Sequence, residues 1–301
     1  MDKLELKIPF YLIIKNQECI QSSLPEGVSY DPHLLVFQNK EPIEFQVIFI
    51  MEKDNDFSIT YEFKEASQVN LIETRILQDH AILHKKMNLH EHTIVHIFNE
   101  NNSVNQEKVQ LIEEVHLHRD AMCQVGYAEL SDGSMQGEYT YYLDGENADA
   151  KVRMAILSKE KENKYYKVLI QHNQPHTYGQ MDNYGVVKDQ GHLVIDGIGT
   201  ITKGQNGSAS HQTNKIMVFD TDCVASANPY LYIDEYDVKA SHAAGVGKMD
   251  EEHLYYLQSR GLSKKQAMQL ITYGYLKPVI EVVDNEMLKE HFEKVLSKVG
   301  A

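Results

Sequence analysis

The sequence predicts an all-β body followed by a helical tail. Between residues 109 and 118, apolar residues alternate with Gln, Glu and His, which is the period of a strand with one buried face. More than ten short segments of β character follow one another, roughly 8–12 residues apart, with Gly, Asn and Asp in the turns. After about Lys248 the apolar spacing becomes that of helices. These observations leave a sandwich, a barrel and a solenoid open.

The strands can be placed along the chain in order. The first 60 residues contain short strands around a turn cluster at residues 23–27. The later strands are predicted at residues 46–51, 57–63, 109–118, 139–143, 152–157, 165–170, 191–198 and 215–219.

The tail carries signals for helix starts and stops. Asp250 is placed to cap a helix that ends at Gly261. Ser263 and Gln266 have the spacing of a capping box for a second helix, which we expect to end at Gly274. The apolar positions of a last amphipathic helix are Met287, Leu288, Phe292, Val295 and Leu296.

Composition narrows the function classes. The chain has 301 residues with 42% hydrophobic residues, which is enough for a core and argues against disorder. Its apolar runs are strand-sized and the start does not read as a signal peptide, so we expect a cytoplasmic protein without membrane spans. A net charge of −15 disfavours nucleic acid as a partner. The lysines of residues 159–167 alternate with glutamates, and this stretch is predicted to be a solvated loop.

The cysteines do not form a recognisable framework. Cys19, Cys123 and Cys223 are far apart and no CxxC pair exists. An odd and sparse set of thiols predicts neither a disulfide scaffold nor a four-thiolate metal site within this chain.

The richest segment runs from residue 208 to residue 275. It holds a polar coil at 208–216, an Asn-Pro-Tyr-Leu-Tyr-Ile strand at 228–233, a turn with Ser-His at 237–247 and a Tyr-Leu-Gln-Ser-Arg-Gly helix at 254–262, before the second helix. This ordered set resembles the SufB/SufD family of iron–sulfur cluster assembly. The resemblance is strong between residues 172 and 276, and it leads us to expect a member of the family that lacks the helical N-terminal domain of longer members.

The resemblance implies a fold and a branch of the family. The implied fold is an all-β core, a right-handed parallel β-helix, with a C-terminal helical tail. Its expected regions are N-terminal strands over residues 1–60, the β-helix over 61–247 and the helical region over 248–301. Asn214 and Ala243 stand where SufB members have a cysteine and a glutamate, whereas His242 matches the SufD histidine. The chain is therefore SufD-like, although Ala240 replaces a cysteine that SufD members often have.

The resemblance also implies a non-catalytic scaffold subunit with defined partners. It would pair with a SufB-like subunit, or with itself when alone, and no cofactor would be held stably by this chain by itself. An iron–sulfur cluster would form at the interface, with His242 as a ligand. A SufC-like ATPase would bind the tail helices at Leu254, Tyr255, Leu257, Arg260 and Gly261.

A histidine-rich segment supports an alternative. His90 and His92 lie 26 residues before His116 and His118, which is close to one solenoid coil. If that register holds, His90 lies near His116 and His92 near His118, forming a metal site such as a metallochaperone would use. The competing interpretation is a polar outer face that is rich in histidine.

Enzymatic function is not predicted. Residues 245–248 are not a phosphate-binding loop, because His242 replaces the first glycine of that motif and Met249 the magnesium-binding Ser or Thr. Ser241 and His242 would face opposite sides of a strand, and no nucleophile elbow surrounds them. A polysaccharide-active β-helix remains a third alternative, disfavoured by the absence of tryptophan.

Overall fold

The chain is a two-sheeted parallel β-solenoid of about seven coils, as predicted. The computed structural model describes residue 6, residues 8–283 and residues 285–297. The strands of one sheet are β1 (Tyr11–Lys15), β2 (Glu18–Ser23), β5 (Ile43–Met51), β7 (Gln68–Leu77), β9 (Ile94–Asn101), β11 (Met122–Glu129), β13 (Asp149–Ser158), β15 (Tyr178–Val187), β17 (Ala209–Val218) and β19 (Lys239–Lys248). The strands of the other are β3 (Val28–Asp31), β4 (Leu34–Phe37), β6 (Asp56–Phe63), β8 (Ile82–Leu89), β10 (Val109–Leu117), β12 (Met135–Leu143), β14 (Asn163–His172), β16 (His192–Ile201) and β18 (Val224–Ile233).

Successive coils pair in parallel, and the coils lengthen along the chain. Bonded residues of neighbouring coils are 26 positions apart near the N-terminal end and 31 apart near β17. The antiparallel pairs β1–β2 and β3–β4 close the N-terminal end. Inward side chains of both sheets form one continuous apolar core.

A chain of alternating charges crosses this core. Arg75 lies between Glu129, at 2.8 Å, and Glu73, at 3.9 Å, while Lys85 lies between Glu73, at 2.9 Å, and Glu113, at 2.6 Å. Burial opposes the charge of Lys85, but the two carboxylates nevertheless raise its pKa. Tyrosine hydroxyls complete the coordination of the carboxylates: Tyr61, Tyr127, Tyr139, Tyr141 and Tyr166. This charge chain links strands of both sheets through hydrogen-bonded ion pairs.

The C-terminal tail folds back along the outer face of the ten-stranded sheet. It consists of α1 (Glu251–Ser259), α2 (Lys264–Leu276), a 3-10 helix (Lys277–Val282) and α3 (Glu286–Leu296). The ring of Phe292 lies 4.4 Å from that of Phe98, and a Cβ on Gly126 would come within 2.9 Å of the Phe292 ring. The tail thereby buries a second apolar cluster that the first core does not reach.

The tail confirms most of the helix predictions. Asp250 caps α1, and Ser263 and Gln266 form the predicted capping box of α2. The prediction that α2 ends at Gly274 is wrong, because the helix continues to Leu276, whose side chain is buried in the tail cluster. None of the helices in the described residues combines the length and the apolar character that crossing a membrane requires.

Two other local predictions are wrong. Residues 239–248 are a strand, not a turn, because pairing with β17 outweighs the weak strand preference of Ala and Gly. Residues 163–167 belong to β14 rather than to a solvated loop. Within them Lys164 is fully buried, and its ammonium group donates to the carbonyls of Ser131 and Leu157 at 2.6 Å.

We predict that Lys85→Met destabilises the fold by about 3–5 kcal/mol, because removing this partner leaves the buried carboxylate of Glu113 without a counter-charge. Lys86→Met is the matched control, since Lys86 is the exposed neighbour on the same strand and its pair with Glu114 contributes about 0–1 kcal/mol. Urea unfolding of both variants measures the difference. Equal losses of stability would contradict the assigned role of the charge chain.

Candidate functional site at the open end of the solenoid

The C-terminal end of the solenoid is open. All ten residues of β19 are exposed, whereas most of β17, one coil earlier, is buried or half-buried. Lys239 N donates to Ser208 O and Met249 N to Val218 O, so the odd-numbered residues of β19 bond to β17. The backbone groups of the even-numbered residues face away from β17, where the described chain has no further strand.

His242 lies at this open end on the inward face of β19. It pairs in register with the buried Gln212, and Ala244 pairs with the buried Asn214. Ala243 projects to the outer face, as strand alternation requires. His242 therefore lies at the mouth of the interior, and the position that resembles the SufB cysteine, Asn214, lies one coil deeper on the same face.

The interior below this mouth is polar. The Gln212 amide donates to Tyr230 O at 2.8 Å, and Asn183 donates to Asn214 Oδ1 at 2.8 Å. His172 is fully buried, with its Nδ1 2.7 Å from Thr177 Oγ1, and its Nε2 has no hydrogen-bond partner among the described residues. Burial lowers the pKa of His172 to about 4, so the ring is neutral near pH 7. His172 could not be recognised from the sequence, because one histidine at the end of a strand carries no motif.

The four predicted metal-binding histidines do not take the expected register. His116 pairs with Asn88, and the ring of His90 instead stacks on that of His118 at 5.5 Å. The coil between them is two residues longer than the expected 26, so each histidine lies beside a residue two positions further along the chain than predicted. His92 lies in a turn with φ of 60° and its Nδ1 is 3.4 Å from Asp120.

Three of these four histidines contact carboxylates, and each of the three contacts different ones. His116 contacts Asp144 at 2.6 Å and Glu114 at 2.7 Å, while His90 contacts Glu62 at 2.7 Å. Burial opposes ionisation of Glu62, but hydrogen bonds, that from His90 foremost, lower its pKa to about 2. In the described part of the chain, no three His, Cys, Asp or Glu side chains are grouped as metal ligands.

The predicted docking residues differ in exposure, and Leu257 is half-buried. Tyr255 is 75% exposed, and the guanidinium of Arg260 lies 5.2 Å above the ring of Tyr256, which is itself 55% exposed. Leu254 instead packs against the tail cluster. Gly261 has a φ of 96° and ends α1 in the left-handed region that favours glycine. Tyr255 and Arg260 are therefore available to a partner, whereas Leu254 supports the tail.

Comparisons with known proteins point to one family. Residues 48–275 match the family model described as "SUF system FeS cluster assembly, SufBD core domain". The iron-sulfur cluster assembly protein SufD of Bacillus subtilis (strain 168) is 31% identical over 180 residues, covering 60% of this chain and 41% of that protein. The SufD protein of Escherichia coli (strain K12) is 27% identical over 158 residues, covering 52% and 37%. This chain thus spans less than half the length of these relatives.

We predict that the buried His172 makes stability depend on pH. Its pKa is about 4 in the folded state and 6.5 as its reference value, so the unfolded chain binds more protons between these values. Stability contributed by His172 is therefore present above pH 6.5 and lost as the pH falls toward 4. Urea unfolding at pH 7 and pH 4.5 should show His172→Gln losing about 2 kcal/mol less than the wild type over this interval.

His80→Asn is the control for this measurement, because His80 is an exposed turn residue with φ of 62°, a conformation that Asn also adopts. The free energy of unfolding of His80→Asn should change between pH 7 and pH 4.5 by the same amount as that of the wild type. If His172→Gln also loses stability in parallel with the wild type, His172 is not held neutral by burial.

Proposed function

Because the chain belongs to the SufBD core-domain family of the SUF system, we propose that it is a non-catalytic, SufD-like scaffold subunit for iron–sulfur cluster assembly. It pairs through β19 with a SufB-like subunit, or with a second copy of itself, and binds a SufC-like ATPase through its tail helices. The observation that carries this proposal is the open end of the solenoid, where β19 presents ten exposed residues and a backbone edge that pairs with no other described strand.

An unpaired strand edge is a ready template for another strand. The free N–H and C=O groups of Ala240, His242, Ala244 and Val246 point in one direction, as a partner strand requires. Exposed apolar side chains lie at the same end of the solenoid: Val246 of β19 is 49% exposed, and Tyr230 and Tyr232 are exposed on β18, the last strand of the other sheet. Pairing would satisfy the backbone groups and remove these side chains from water at the same time.

His242 supports a contribution to cluster chemistry at that interface. It lies at the mouth of the interior, where a partner strand would cover it, and imidazole is a ligand that iron accepts. The neighbouring positions Ala240, Ala243 and Asn214 offer no thiolate or carboxylate. The other ligands would come from the partner, so this subunit supports the cluster rather than holding it alone.

The surface of α1 supports docking of the ATPase. No residue of α1 is buried, although the helix is properly capped by Asp250. Exposed Tyr255 and Tyr256 supply large apolar area with little rotamer freedom to lose, and Arg260 is already held against an aromatic ring.

We predict that Ala244→Pro weakens pairing and leaves the subunit folded. Proline removes an N–H that no other described residue uses, and proline is tolerated on an edge strand when that N–H faces solvent. Ala244→Ser is the matched control, because it keeps the N–H. Analytical ultracentrifugation, alone and with the SufB-like subunit, should show at least about tenfold weaker association for the proline variant only.

Circular dichroism verifies that both variants remain folded. If the folded proline variant associates as tightly as the serine variant, the β19 edge is not the pairing surface and this part of the proposal fails.

We predict that Tyr255→Ala weakens binding of the SufC-like ATPase at least tenfold, a loss of about 1.4 kcal/mol or more, because an exposed aromatic anchor is removed. The stability of the subunit should stay within about 0.5 kcal/mol of the wild type, since the side chain makes little contact inside the chain. Calorimetric titration with the ATPase measures the affinity. Unchanged affinity would show that α1 is not the docking surface.

A further inference from the structure

A basic cavity lies between the end of β15 and α2. It has a volume of about 370 Å³ and is lined by Lys188, Lys264, Lys265, Met268, Gln269 and Thr272. Lys188 follows β15 in the solenoid, whereas the other lining residues belong to α2. Two separate parts of the fold therefore bring three lysines to one concavity.

These lysines have no counter-charge in the part of the chain that the structure describes. Within the described residues, none of Lys188, Lys264 and Lys265 forms an ion pair, whereas lysines elsewhere do so, such as Lys159 with Asp132 at 2.7 Å. Arg260, in the connection that leads to α2, likewise has no carboxylate partner among the described residues. On a chain with a net charge of −15, this cluster is a local region of positive potential.

The cavity suits carboxylates better than a tightly held phosphate. The capping box already satisfies the backbone amides of Ser263 and Gln266 at the start of α2. Built phosphate sites use such amides or the planar fork of arginine, whereas lysine offers a mobile point charge. The side chain of Met268 adds an apolar wall, which fits a peptide segment that carries acidic side chains.

We propose that this cavity receives an acidic segment of the SufC-like ATPase, so that Lys188, Lys264 and Lys265 orient the ATPase on the tail helices. The inference rests on the proposed docking function and adds the chemistry of the partner surface. Its physical basis is charge complementarity: attraction between the basic cavity and an acidic segment accelerates encounter and is screened by salt.

The test is the rate of association with the ATPase across a range of salt concentrations. The double variant Lys188→Glu/Lys265→Glu should associate about tenfold more slowly than the wild type at low salt, and the two rates should converge at high salt. Glutamate at position 265 lies in the first turn of α2, where the helix dipole favours negative charge, so the thermal midpoint should not fall.

The matched control is Lys40→Glu/Lys203→Glu, which changes the net charge equally at exposed positions outside the cavity. Equal association rates for the two double variants at every salt concentration would overturn the inference, while the Tyr255→Ala measurement decides separately whether α1 is the docking surface. Inorganic phosphate that inhibits association more than chloride of equal ionic strength would assign the cavity to a phosphate ion and also overturn it. If the wild-type chain does not bind the ATPase, both this inference and the docking proposal fail.

Discussion

Each strand inside the solenoid completes its backbone hydrogen bonds with the strands one coil before it and one coil after it. At each end of the stack one neighbouring coil is missing, so the backbone of the last strands needs another hydrogen-bonding partner. At the N-terminal end, the antiparallel pairs β1–β2 and β3–β4 fold the chain back on itself. At the other end no described strand does so, and the backbone of β19 remains available. The proposed interface is thus a direct result of how a parallel stack is built.

The fold was predictable where local pattern and tertiary environment agree. The alternation at residues 109–118 and the caps at Asp250 and Ser263 appear in the structure as predicted. The strand β19 was missed because its Ala and Gly residues have weak strand preference, and its order comes from pairing with β17. The charge chain through Glu73, Arg75 and Lys85 could not be inferred, because charged residues in a strand predict solvent-facing positions.

The candidate site was predictable only in part, for reasons of register. His242 was selected through the resemblance, but its place at the mouth of the interior follows from pairing of β17 with β19. The histidine pairs show the limit of periodic reasoning, because two additional residues in one coil placed His118 rather than His116 beside His90. In a solenoid every inserted residue changes which side chains meet in the next coil. The tail helices do not depend on strand register. The 3-10 helix and α3 bury apolar side chains in one cluster, while α1 stays exposed.

The buried charge chain also restricts how the coils of this repetitive fold can align. Coils of similar length and apolar content can stack in several alignments of comparable energy, and a slip of one residue exchanges the inner and outer faces of a strand. Such a slip of β7 against its neighbours would separate Arg75 from Glu129 and Lys85 from Glu73, and it would leave ions without these partners in the core. An unpaired buried ion costs several kcal/mol. The charge chain therefore favours one register of the middle coils over the alternative alignments.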